Sequence, residues 1–115
     1  MNSRKKIIIL ISLILIYLTG SAQAGLSGEQ LFSLFSQANE TFRQANSTAN
    51  NAEQQQLYEK SILLYEKIIN EGGVKNAKLY YNLANAYLLK GDIGKAVLNY
   101  RRAENLDRTD VNIRK

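Results

Sequence analysis

The sequence has no cysteine, no histidine, no proline and no tryptophan. Without cysteine there is no disulfide, no thiolate nucleophile, no lipid-anchoring thiol and no sulfur ligand for a metal. Without histidine the commonest general base and the commonest metal ligand are both gone. Charge of one sign is also scarce. The formal net charge is +5, but Arg4, Lys5 and Lys6 sit in an N-terminal segment with its own logic. Setting them aside leaves twelve basic residues against ten acidic ones, a balance too weak to indicate a nucleic-acid partner. The acidic residues are scattered. Glu59 and Glu66 flank one helical face, and Asp107 and Asp110 lie near a helix end. None has the apolar surroundings or neighbouring nucleophile that acid–base catalysis needs, so they read as solvated side chains. No catalytic, cofactor-binding or metal-ligating set emerges, and the classes left are those of recognition.

What is present begins with residues 1–24, which have the form of a secretory signal peptide. A basic start is followed by an apolar run from Ile7 to Leu18 broken only by Ser12, and then by Ala22-Gln23-Ala24, a small-x-small cleavage pattern. The run is short for a membrane span, which takes about 20 residues. An uncleaved N-terminal anchor is the alternative. Export without cysteine suits a bacterial periplasm better than a disulfide-stapled extracellular setting.

The remaining length allows one domain. Residues 77–108 organise it as two amphipathic helices around a turn at Gly91-Asp92. Tyr80, Leu83, Ala84, Tyr87 and Leu88 recur at three- and four-residue steps and share one face. Ile93, Ala96, Val97, Tyr100 and Ala103 do the same on the second helix. Gly91 is placed to take the left-handed conformation that ends a helix, and Asp92 to cap the next. Ala84, Ala96 and Ala103 let the helices approach closely, while the tyrosines fill the gaps beside them. Gly91-Asp92-Ile93-Gly94-Lys95 lacks the leading strand and the spacing of a phosphate loop. Lys95, Arg101, Arg102 and Arg108 make a basic patch without aromatic platforms, because Tyr100 is committed to the core.

A less regular pair precedes this one. Ser27 with Gln30 forms a capping-box pattern at the start of a helix reaching about Ala45, with Leu31, Leu34, Phe35, Ala38, Phe42 and Ala45 as its stripe. The polar run from Asn46 to Asn51 reads as a loop. A second helix, capped by Asn51 with Gln54, runs to about Asn70 and buries Leu57, Ser61, Leu64, Tyr65 and Ile68; Gly72-Gly73 ends it.

The small-and-bulky register of residues 77–108 resembles a tetratricopeptide (TPR) repeat, a unit of roughly 34 residues. Tyr80, Leu83, Ala84, Tyr87, Gly91, Ala96, Tyr100 and Ala103 occupy its signature positions, and Arg108 stands where the family usually has proline. The resemblance implies an all-α fold of antiparallel helix hairpins, an α-solenoid fragment. Residues 25–76 form a degenerate first unit with about 11 inserted residues around its loop, residues 77–110 the repeat, and residues 111–115 the start of an incomplete capping helix. Ala38-Asn39 falls in register with Ala84-Asn85, and Ser61, Tyr65 and Ile68 with Ala96, Tyr100 and Ala103.

In that family the first helix of each repeat lines a concave groove that holds an extended peptide or a partner helix. The resemblance implies groove positions at Asn39, Phe42, Arg43, Lys78, Tyr81, Asn82, Asn85 and Leu89. Asparagine amides pair with a peptide backbone as donor and acceptor, and Tyr81 adds flat apolar area. Asn85 matches one asparagine of the family's two-carboxylate clamp, but Tyr81 replaces its first lysine, so chaperone-tail binding is not expected.

Over residues 31–114 the sequence is similar to the BatE-like group of exported tetratricopeptide proteins of bacterial aerotolerance operons. That resemblance implies a non-enzymatic scaffold acting with membrane-anchored von Willebrand A-type proteins. Two units leave the last helix partly uncovered near Leu98, Tyr100 and Leu106. Self-association through that helix and membership of a longer tetratricopeptide protein are the alternatives.

Overall fold

A computed structural model describes residues 25–113, with side chains through Arg108. The expected signal peptide lies outside the described residues. Four helices follow one another: α1 (Gly28–Ser47), α2 (Asn51–Gly72), α3 (Ala77–Lys90) and α4 (Ile93–Ile113). No strand occurs among the described residues. α1 packs on α2 and α3 on α4, and the two hairpins meet through α2 and α3. The protein is therefore all-α and built of helix hairpins.

Polar caps and left-handed glycines set the helix ends. Ser27 and Gln30 exchange two hydrogen bonds, Gln30 N to Ser27 Oγ at 3.2 Å and Ser27 N to Gln30 Oε1 at 2.9 Å. At the start of α2 the cap is Asn50 rather than Asn51: its Oδ1 accepts from Glu53 N at 3.0 Å. Gln54 is drawn off to close the loop, donating Nε2 to the Ala45 carbonyl at 3.0 Å. Asn76 begins α3 by accepting from Leu79 N at 2.8 Å, a cap that the sequence reading did not single out. Gly73 (φ 64°) and Gly91 (φ 99°) end α2 and α3 in the left-handed region, where a Cβ would be strained. Asp92 Oδ1 then accepts from Lys95 N at 3.2 Å, as its position predicts.

α4 departs from expectation. It runs unbroken to Ile113, where the repeat pattern placed a new helix starting at Val111. Nothing near Arg108 can stop it, because the helix-breaking proline of the pattern is absent.

The core joins both hairpins through Ala38, Ile62, Tyr65, Ile68, Leu79, Leu83, Ala86, Tyr87 and Ala96. Ala84, Ala103 and Ser61 are fully buried, the close approach that small residues allow. Other stripe residues behave differently. Tyr58 and Ile62 are buried where Leu57 and Leu64 were expected, and those two leucines are half-buried. Leu88, Ile93 and Val97 fall on expected apolar stripes but are exposed, with no further helix over them among the described residues.

Candidate functional site

Each hairpin builds the same three-residue device. In the first, the Tyr65 hydroxyl on α2 donates to Asn39 Oδ1 on α1 at 2.5 Å, and Phe35 packs edge-on to the Tyr65 ring with centroids 6.3 Å apart. In the second, Tyr100 on α4 donates to Asn85 Oδ1 on α3, and Tyr81 lies 6.0 Å from the Tyr100 ring. Phe35 and Tyr81 both precede their asparagine by four residues, one helical turn. Burial pushes the Tyr65 hydroxyl up to about 12. Burial, and then the neighbouring Tyr81, raises that of Tyr100 as well. Both phenols stay protonated and act as donors at neutral pH.

The two devices face a common cavity of about 290 Å³ between α1 and α3, lined by Asn39, Phe42, Arg43, Tyr65, Asn82 and Asn85. Asn82 Nδ2 crosses from α3 to donate to Asn39 Oδ1 at 3.3 Å, so this one oxygen joins three helices. The amide oxygens of Asn39 and Asn85 are thus held by the scaffold. Among the described residues nothing accepts from their Nδ2 groups, which remain available as donors. Arg43 adds a third, more exposed donor at the rim, where it pairs with exposed Glu40.

Five of the eight expected groove residues line this cavity: Asn39, Phe42, Arg43, Asn82 and Asn85. Tyr81 stands beside it as the wall that supports Tyr100. Two do not belong. Lys78 lies at the start of α3 and borders a separate, mostly apolar recess of about 480 Å³ with Leu31, Phe32, Phe35 and Val74. Leu89 is exposed near the other end of α3 and does not line the cavity. Tyr65, expected only as a core residue, is also the floor of the cavity. The signal was its register with Asn39, which matches that of Tyr100 with Asn85.

Chemically the lining offers hydrogen-bond donors between aromatic walls, with no carboxylate and no nucleophile. Such a surface favours ligands that present acceptors, among them peptide carbonyls. Comparison with protein families, with curated proteins and with solved structures finds no match to this chain.

Proposed function

We propose that the chain is a non-enzymatic protein-interaction module that holds an extended segment of a partner in the cavity between α1 and α3. One observation carries this reading: Asn39 and Asn85, in equivalent places on the two hairpins, have their oxygens tied to tyrosines and their amide nitrogens left to donate. Two such donors on neighbouring helices suit successive carbonyls of an extended backbone. The alanine and tyrosine register shared by the hairpins supports reading them as tetratricopeptide units. The basic, apolar and small-residue zones of residues 1–24 support export to a periplasm. The likeness to the BatE-like group makes membrane-anchored von Willebrand A-type proteins the first partners to test.

The test is co-purification from envelope extracts with the full chain as bait, comparing it with an Asn39→Ala, Asn85→Ala variant whose helicity has been checked by circular dichroism. Loss of a partner from the variant is the expected outcome. Equal recovery of every partner by the two baits rejects the reading.

A further inference from the structure

Among the described residues the second hairpin leaves open a face that the first hairpin has closed. Because Tyr65 and Tyr100 occupy equivalent places, Tyr58 corresponds to Ile93, Ile62 to Val97 and Glu66 to Arg101. Ile62 is 2% exposed and Val97 44%; Tyr58 is 3% exposed and Ile93 56%. The difference is the presence of α3, whose buried Leu79, Leu83 and Ala86 join the cluster that holds Ile62. Two polar contacts fix that docking. The Tyr87 hydroxyl donates to the Glu66 carboxylate, and Lys90 pairs with Glu59.

The same registers say what can lie on the open face. The residues of α1 that correspond to Leu79, Leu83 and Ala86 are Ser33, Gln37 and Glu40, all exposed. Gln37 Nε2 donates to Ser33 Oγ at 3.0 Å, and Glu40 pairs with Arg43. A second copy therefore brings no apolar ridge on its α1, and head-to-tail stacking is disfavoured. A second copy's α4 brings a further Arg101, and its Glu104 is already paired with Arg108. Among the described residues Arg101 has no ion pair, and it stands where Glu66 receives Tyr87.

We propose that this face of α4 docks an amphipathic helix of a partner protein. That helix carries apolar residues spaced like Leu79, Leu83 and Ala86, and a carboxylate where α3 has Tyr87. The site is separate from the cavity between α1 and α3 and does not depend on its role.

The probe is a lactam-bridged, fluorescein-labelled peptide with the sequence of residues 77–90 carrying Tyr87→Glu, and the control carries Tyr87→Lys. The bridge holds a length that is marginal as a free helix. Anisotropy titrations use the full chain. The Glu peptide is expected to bind at least about tenfold tighter than the Lys peptide, and Arg101→Glu in the protein to reverse that order. Val97→Asp, at an exposed position that leaves the fold intact, is expected to weaken both peptides by about tenfold or more. Equal affinity of the two peptides, no binding, or indifference to Arg101→Glu or Val97→Asp overturns the proposal. A dimer of the full chain that sedimentation detects and Val97→Asp abolishes also overturns it, by assigning the face to a second copy.

Discussion

The two hairpins carry one binding device on frames of different length. Asn39 and Tyr65 are 26 residues apart, Asn85 and Tyr100 only 15, yet each pair is joined by the same hydrogen bond. The difference is distributed almost entirely along helices. Asn39 lies eight residues before the end of α1 and Asn85 five before the end of α3. Tyr65 lies fourteen residues into α2 and Tyr100 seven into α4. Seven residues are about two turns, so the longer helix returns its side chains to the same face and the device keeps its geometry. The added length is stapled by its own contacts. Phe42 packs against Tyr58 with centroids 5.7 Å apart, the Tyr58 hydroxyl donates to Asn46 Oδ1 at 2.6 Å, and Thr41 and Ala45 are buried beside them. The loop-side tip of a hairpin can therefore grow by whole turns while the end bearing the cavity stays fixed.

The comparison can be broken most forcefully at the paired tyrosines. Tyr65 is 1% exposed, and Tyr65→Ala should cost about 3–5 kcal/mol through the hole it leaves. Tyr100 is half-buried on the open hairpin, so Tyr100→Ala should cost clearly less. Urea denaturation of both variants checks the order, and equal losses would mean that the hairpins are equally enclosed. Next comes the pair that differs only in having a neighbour. Ile62→Ala should cost about 2–5 kcal/mol and Val97→Ala within about 0.5 kcal/mol, read from denaturant midpoints at unchanged slope.

A smaller effect is expected at alkaline pH. Tyr65 has a folded pKa of about 12 against an ordinary value of 10, because burial disfavours the phenolate. Its contribution is fully present below pH 10 and is lost as pH rises to about 12. The loss is on the order of 1 kcal/mol once solvent screening is allowed for, and Tyr65→Phe should flatten that part of a pH–stability curve. A change of similar size is expected at the added tip. Tyr58→Phe removes the bond to Asn46 and should cost about 1 kcal/mol, leaving the cavity and its ligand affinity untouched.

Much of this architecture was legible in the chain because helix ends and single stripes are local signals. Ser27 with Gln30, Gly91 with Asp92, and the small residues Ala84, Ala96 and Ala103 all depend on neighbours within a turn or on a regular spacing. The equivalence of Asn39 with Asn85 was legible for the same reason. Less legible were residues whose surroundings come from far along the chain. Ile62, Leu79 and Ala86 lie where one hairpin meets the other, so a reading limited to one stripe per helix passes over them. Val97 and Ile93 show the converse: an apolar pattern marks a face able to be covered, and only the packing decides whether it is. Lys78 and Leu89 share a face with Asn82 and Asn85, but Lys78 borders the separate recess beside Leu31 and Phe32 and neither residue lines the cavity.

The tyrosine clasp on each asparagine also gives the cavity a polarity. With both lone pairs of its oxygen engaged, by Tyr65 and Asn82, Asn39 can greet a lone pair but not a hydrogen, whereas Asn85 keeps one lone pair free. At Asn39 a bound strand would then be read through its carbonyl alone. N-methylation of its backbone nitrogen should go unnoticed at that point, whereas thinning the electron density on the carbonyl, as an ester linkage does, should loosen it.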